Sequence, residues 1–350
     1  MMFQPFVNLT HKIMHEDKIF IGADVSKLTI DFTLLLNDQV EHQCVENTVA
    51  ALSSYLKAVK RRFKVKDASI YLGIENTGRY SWPALRAFSC GELKLHLLSP
   101  LHLSKSQGLV RGKSDLVDSQ RIARFLKKNL DELSLYQKPR EVIEELSLLL
   151  ARRNKLQKLI KAESATIEEM GQVSKGRVRS FIIADSKKSV LALRKRLQMV
   201  ELQIENLIAE DQDLKHKVKL LMSIPGVGKI LSWYLLVKTN EFKNFDDPRK
   251  LACFAGVATF QHTSGTSVRG RTRVSSFADK TLKRILHLAA LRVTQMKGEL
   301  GEYYRRKVEE GKNKMAVINA LRNKIIHRIM AVIREDRPYQ IREKNTLLVS

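Results

Sequence analysis

An α/β domain followed by two mainly helical regions is the fold class this sequence predicts. Three observations predict it. Short apolar strands alternate with helical segments over residues 19–135. Apolar residues recur at heptad spacing between 190 and 221. Helical periodicity then resumes after SIPGVGK at 223 and runs to about Arg334. A chain of 350 residues is long enough for more than one core. The expected boundaries are a short N-terminal extension at 1–18, an α/β domain at 19–139, a coiled-coil region at 140–222 and a helical domain at 223–350.

The elements of the first domain follow from apolar runs and their breaks. Ile19–Val25 (IFIGADV) and Thr29–Leu36 (TIDFTLLL) read as buried strands, and Val40–Val45 as a third with one wet face. The short turns between them predict an antiparallel meander. A helical pattern covers Val49–Phe63. Ser69–Glu75 (SIYLGIE) is another strand, a helix begins near Trp82, Leu93–Leu98 is a strand, and helical spacing returns at Leu116–Leu126. The order β-β-β-α-β-α-β-α is the connectivity of an RNase H-like domain.

Beyond residue 140 the pattern changes. A helix from about Glu141 to Gly171 carries Leu146, Leu149, Leu156 and Ile160. After the break VSKGRVRS, apolar residues fall at Val190, Leu193, Leu197, Val200, Ile204 and Leu207, then Leu214, Val218 and Leu221, with Asp211 at the one missed position. Steps of three and four make a heptad stripe, which fits helices folded back on each other or paired between subunits. The stripe is packing, not chemistry. In the last domain, Thr259–Ser276 reads as a loop rich in Gly, Ser, Thr and Arg.

Charge narrows the partners. Lys and Arg number 62 against 37 acidic residues, a formal charge of +25. Such a chain attracts polyanions, and phosphate contacts release condensed counterions, so nucleic acid is the expected partner. No segment approaches the ~20 uncharged apolar residues of a membrane span, and no membrane partner is expected. Three scattered cysteines (Cys44, Cys90, Cys253) suit neither a disulfide framework nor a zinc site; they fit a reducing cytoplasm. Any metal must be held by oxygen.

Asp24 ends the first strand and Glu75 ends SIYLGIE, each after several apolar residues. A carboxylate there is costly unless it is paired, hydrogen-bonded or on a metal. Asp115 and Asp118 stand three apart in KSDLVDSQR, at a helix start. Four such oxygen ligands could hold two Mg²⁺ ions about 4 Å apart, the arrangement used for in-line phosphoryl transfer. Each residue also has a plain structural reading. Asp115 could be an N-cap and Asp118 a first-turn acid, Asp24 could satisfy the turn before Ser26, and Glu75 could bridge to Arg79 or Lys113. Arg111, Lys113, Arg121 and Arg124 surround the second pair, as a phosphate-binding cleft requires.

Two further segments carry candidate contacts. IPGVGK (Ile224–Lys229) resembles a helix-hairpin-helix turn, where Gly226 and Gly228 let the backbone approach a phosphate and Lys229 follows; a Pro-Gly helix break is the alternative. In SGTSVRGRTRVSS, Arg269, Arg271 and Arg273 alternate among Ser264, Ser267, Ser275 and Ser276. Arginine forks suit phosphates, and a serine among them could be a nucleophile or only a turn former.

IGADVSK, GIENTGRY, KSDLVDSQRIA, the IPGVGK-to-FAGVA stretch, SGTSVRGRTRVSS with LKRILHLAA, and KMAVINALRNKIIHRI together resemble the DEDD-transposase family of bacterial insertion sequences, described as bridge-RNA-guided recombinases. The resemblance runs from about residue 19 to 338. It implies an RNase H-like (RuvC-like) N-terminal domain whose catalytic, metal-binding tetrad is Asp24, Glu75, Asp115 and Asp118, using Mg²⁺ or Mn²⁺. It also implies a catalytic serine. The family's Ile-Ser-Lys-x-Gly corresponds to Val274-Ser275-Ser276-Phe277-Ala278, which gives Ser275 the nucleophile role, with Ser276 and Ser264 as alternatives. Ser119 stands where the family usually has alanine. Implied partners are donor and target DNA, a noncoding guide (bridge) RNA, and further copies of the chain in a dimer or tetramer, in the bacterial cytoplasm. The competing expectations are a Holliday-junction-type endonuclease using the acids alone, and a noncatalytic nucleic-acid-binding scaffold.

Overall fold

The structure is a computed structural model that describes residues 18–37, 39–89, 91–106, 115–173, 175–264, 268–274 and 278–340; for residues 68, 105, 115, 260–264 and 268–274 it describes the backbone alone. The chain divides into two compact units, Met1–Lys138 and Pro139–Ser350.

The first unit is a five-stranded sheet flanked by helices. Its elements are β1 (Ile19–Val25), β2 (Thr29–Leu36), β3 (Gln39–Glu46), α1 (Val49–Phe63), β4 (Ile70–Glu75), α2 (Trp82–Phe88), β5 (Lys94–Leu98), α3 (Pro100–Ser106) and α4 (Asp115–Lys128). The strand order is β3-β2-β1-β4-β5. β1, β2 and β3 form the antiparallel meander, and β4 and β5 run parallel to β1. This mixed α/β arrangement is consistent with an RNase H-like nuclease domain.

Alternation along the strands sorts their side chains to two faces. Ile19, Ile21, Ala23 and Val25 of β1 join Leu52, Tyr55, Val59 and Phe63 of α1 and Phe88 of α2 in one core. There the Phe32 ring stacks on Tyr55 at 4.3 Å and meets Phe88 edge-on at 6.0 Å. Phe20 and Tyr71 instead meet Ala123 and Leu126 of α4 on the opposite face. β3 is polar at alternate positions because it is the sheet edge.

The second unit consists of α5 (Glu141–Met170), α6 (Arg177–Glu210), α7 (Gln212–Met222), α8 (Lys229–Lys238), α9 (Pro248–Phe254), β6 (Thr259–Ser264), β7 (Val268–Val274), α10 (Lys280–Thr294), α11 (Glu299–Glu309) and α12 (Lys314–Glu335). α5 and α6 fold back on each other within the chain. Arg153 pairs with Glu201 at 2.7 Å, and nearer the tip Arg179 donates to the Met170 carbonyl at 2.6 Å, which fixes the antiparallel sense. At the base, Ile143, Leu146, Leu150, Ile204 and Ile208 enter one core with α7–α12.

Two features differ from the sequence expectation. The heptad stripe is not one helix. Asp211, its missed position, leaves the helical conformation and caps α7 by accepting from the Leu214 amide at 2.9 Å, because a short acceptor side chain competes well for the free amides of a helix start. The Gly/Ser/Arg-rich segment is not a loop. It is an antiparallel hairpin, Thr259 opposite Val274 and Ser264 opposite Val268, with an irregularity between Phe260 and His262. The alternating Val268-Arg-Gly-Arg-Thr-Arg-Val274 has strand period, and its glycines obscured that signal.

Candidate active site

Two glycines determine where the acids of the first unit sit. Gly22 and Gly73 are register partners on the adjacent parallel strands β1 and β4. A Cβ on Gly22 would lie 2.2 Å from the Ser119 carbonyl oxygen and 2.3 Å from the Ala123 nitrogen; one on Gly73 would lie 3.3 Å from Leu126 Cδ2. At position 22 only a residue without a Cβ lets the α4 backbone settle against the sheet, and at position 73 a Cβ would crowd the Leu126 side chain. Because Ser119 and Ala123 meet Gly22 while Leu126 meets Phe20 and Tyr71, α4 runs antiparallel to β1. Its first turn therefore stands over the C-terminal ends of β1 and β4.

Those ends carry the two strand acids. The register pairs Ala23 with Ile74, so the next residues, Asp24 and Glu75, are level on neighbouring strands about 4.8 Å apart. Two residues after each glycine, they share the face that α4 covers. Asp118 immediately precedes Ser119. It is about one-fifth exposed and accepts from Arg121 at 2.8 Å. Asp115 opens α4, three residues earlier and about 4.5 Å further along the axis; its side chain lies outside the described residues, as do Arg111 and Lys113 entirely. The fold thus brings four positions, distant in sequence, to one end of one sheet. Among the described residues, no three His, Cys, Asp or Glu side chains converge as one metal cage, and Asp118 is engaged by Arg121. The donor set is nevertheless all carboxylate oxygen, the chemistry that suits Mg²⁺ or Mn²⁺.

The sequence reading missed three polar residues on this face. Asp31 is the cross-strand partner of Asp24. It is only 8% exposed, and its carboxylate lies 3.0 Å from His42 Nε2. Like charges opposite each other in a sheet repel, and His42 supplies a compensating partner for one of them. Thr33, the partner of Gly22, shares a 2.8 Å hydrogen bond with the buried Ser119 hydroxyl. That bond satisfies the buried hydroxyl. The signal available in advance was the period-2 polarity of Thr29-Ile-Asp-Phe-Thr33, together with Gly-x-Asp and Gly-x-Glu in two parallel strands.

In the second unit, Ser275 and Ser276 lie outside the described residues, and Ser264, Arg269, Arg271 and Arg273 are described by backbone alone, in β6 and β7. The residues on either side of the serines have defined partners. Val274 pairs with Thr259. Ala278 packs on Gly256, where a Cβ would approach the Ala278 Cβ to 2.2 Å at φ +64. Asp279 donates its amide to the Phe254 carbonyl at 2.9 Å, accepts from the Leu282 amide at 2.8 Å as the cap of α10, and pairs with Lys238 at 2.7 Å.

IPGVGK forms the turn between α7 and α8. Gly226 has φ +86, and a Cβ there would meet Val293 Cγ2 at 2.3 Å, so its freedom serves packing against α10. Gly228 caps α8 with open space around it. Lys229 pairs with Glu205 at 2.8 Å in an exposed bridge, the kind that holds little energy and yields readily to a competing anion.

Comparison with known proteins supplies the rest. The profile of the transposase IS116/IS110/IS902 family matches residues 218–305, and a transposase profile of the IS110 DEDD type matches residues 21–170. The chain is 26% identical over 330 residues to the pilin gene-inverting protein of Moraxella bovis, covering 93% of this chain and 98% of that one; the Moraxella lacunata protein of the same name matches to the same extent. It is 28% identical over 162 residues to the insertion element IS110 uncharacterized 43.6 kDa protein of Streptomyces coelicolor, covering 46% and 39% of the two chains. No described helix is long and apolar enough to cross a membrane.

Proposed function

The chain belongs to the IS116/IS110/IS902 family of transposases, and on that premise we propose how its own residues divide the work of cutting and rejoining donor and target DNA. The observation that carries the reading is the level placement of Asp24 and Glu75 beneath the first turn of α4. With Asp115 and Asp118 from that turn, they would hold two Mg²⁺ or Mn²⁺ ions. Bound there, the ions would neutralise charge on the scissile phosphate and the attacking and leaving oxygens.

The protein's part is otherwise positional and nucleophilic. Arg121 holds Asp118 on the site face until the carboxylate is drawn inward. Arg111, Lys113, Arg269, Arg271, Arg273 and the Gly226–Lys229 turn contact phosphates along the bound strands. The Ser275 oxygen attacks the phosphorus. A phosphoserine ester forms, the bond to one strand end breaks, and that end departs as a hydroxyl carrying the serine proton. Attack by a strand-end hydroxyl on the phosphoserine reverses the balance, rejoins DNA and frees the serine. A noncoding RNA would choose the sites by base pairing while the protein grips shape and backbone, and the chain would act as a dimer or tetramer so that two DNA segments are held together.

The test is recombination in cells carrying the element's flanking noncoding DNA. Asp24→Ala should abolish it, and Ser275→Ala should abolish both recombination and a DNA-linked form of the protein. Free-ended cleavage that survives Ser275→Ala would point instead to a plain junction endonuclease. Activity that survives Asp24→Ala would sink the acidic site.

A further inference from the structure

Arg322 is a buried charge that no described residue neutralises. The residue is 7% exposed, its Nε has no hydrogen-bond partner, and among the described residues the guanidinium has no ion pair or ring contact. Burial depresses its pKa, yet a guanidinium stays charged in proteins. An uncompensated buried cation opposes folding.

Its surroundings are cationic and donor-rich. Near it on α10 is His287, whose Nδ1 is also buried without a partner; burial first, and then the Arg322 charge, lower the pKa of this imidazole. Lys283 stands one turn earlier on the same face of α10, its Cδ 3.4 Å from the point where a Gly256 Cβ would be. Asn319 and Asn323, on either side of Arg322 in α12, both donate to the Val257 carbonyl, at 2.9 and 2.8 Å. This ties α12 to the turn that Lys283 touches. Lys283 and His287 are half-buried, so the cluster opens along the edge of α10. That edge adjoins Ala278, the residue that closes the serine segment against Gly256.

Buried polar groups in folded proteins are nearly always satisfied, and an orphaned set of one sign marks a candidate site for a ligand of the other. We propose that Arg322, with His287 and Lys283, forms a phosphate-binding site that holds a phosphodiester of the strand being cut. Arginine presents donors in a planar fork that matches two phosphate oxygens. The anion would supply the partners that the folded chain withholds from Arg322 and His287. Assigning the phosphate to the cut strand rests on the serine reading above; anion binding itself does not.

The experiment melts the full chain with and without inorganic phosphate, for wild type, Arg322→Met, Arg322→Lys and Ser275→Ala, and then measures DNA cutting and the binding of DNA and RNA oligonucleotides. Phosphate should raise the wild-type and Ser275→Ala melting temperatures and leave Arg322→Met unmoved. Without phosphate, Arg322→Met should melt at or above wild type, since a destabilising charge has gone. Cutting should fall about a hundredfold or more in Arg322→Met, as for loss of a donor to a reacting oxygen, with Arg322→Lys between. A phosphate-free melting temperature well below wild type would make Arg322 a structural residue and overturn the proposal. An unchanged phosphate shift in Arg322→Met would place the anion elsewhere. Weakened RNA binding with intact DNA binding would overturn the assignment to the cut strand. Normal cutting by Ser275→Ala with the phosphate shift intact would sink the serine reading and leave the anion site standing.

Discussion

Glu241 and Arg322 lie in the same helical unit and treat a buried charge in opposite ways. The Glu241 side chain is fully buried, and it accepts from Arg140 at 2.6 Å, Lys217 at 3.2 Å and Lys243 at 3.4 Å. Arg140 also grips Asp211, the cap of α7, at 2.8 Å, so one guanidinium ties the start of α5, the break between α6 and α7, and the turn after α8. That turn holds Asn240, Glu241 and Phe242 at φ 49, 57 and 68, a left-handed run that non-glycine residues adopt only when their surroundings over-determine it. Arg322 has no such company. A satisfied buried network holds an awkward backbone in place; an unsatisfied charge spends stability that only a ligand can return. Structure and function are separated here by partner count rather than by depth.

Neutralising substitutions should sharpen or break this contrast, the largest first. Arg140→Met takes the cation from Asp211 and leaves Glu241 with Lys217 and Lys243 alone, and should cost about 3 kcal/mol, read as a lower urea midpoint. Glu241→Gln should cost about 2–3 kcal/mol at pH 7, and its effect should depend on pH. Burial pushes the Glu241 carboxyl up, but hydrogen bonds from Arg140 and the Lys217 ammonium prevail and hold it at about 2, below its ordinary 4.5. A depressed folded pKa adds stability that is complete above pH 4.5 and is lost as pH falls toward 2. The gap between wild type and Glu241→Gln in urea midpoint should therefore narrow from pH 6 to pH 2.5; a constant gap would mean that the pairing adds nothing.

Gly226→Ala should follow, at about 1–3 kcal/mol, because its Cβ would strike Val293 at positive φ. Gly228→Ala should leave the stability within the roughly ±0.5 kcal/mol typical of open positions. Weakened DNA binding in Gly228→Ala alone would show the turn contacting phosphate as well as packing. Smallest, and opposite in sign, Arg322→Met should be neutral or stabilising by about 1–2 kcal/mol in phosphate-free buffer. If it destabilises as Arg140→Met does, the contrast between the two charges is gone.

The class of the first unit and its strand order along the chain were legible because apolar period and punctuation are local. Asp24 and Glu75 stood out as carboxylates at the ends of apolar strands, and the structure puts them side by side. Asp31 and His42 stayed hidden. An acid inside TIDFTLLL looks like an ordinary polar position until β2 pairs with β1 and sets it opposite Asp24. The hairpin of β6 and β7 was hidden by its glycines, and the α6–α7 break by a stripe whose period survives the interruption. Arg322 was equally invisible: its helix reads as apolar with basic punctuation, and only packing against α10 removes its water.

The sequence alone determined the strands and most helices of the first unit, the strongly basic balance, and the spacing of the acid and glycine motifs, because those depend on residue type and spacing along one chain. Tertiary structure decided which carboxylates are neighbours, that α5 and α6 close on each other, and which buried charges are answered and which are not. Those properties are sums over groups tens to hundreds of residues apart, and a charge is compensated or stranded only once the chain has folded around it.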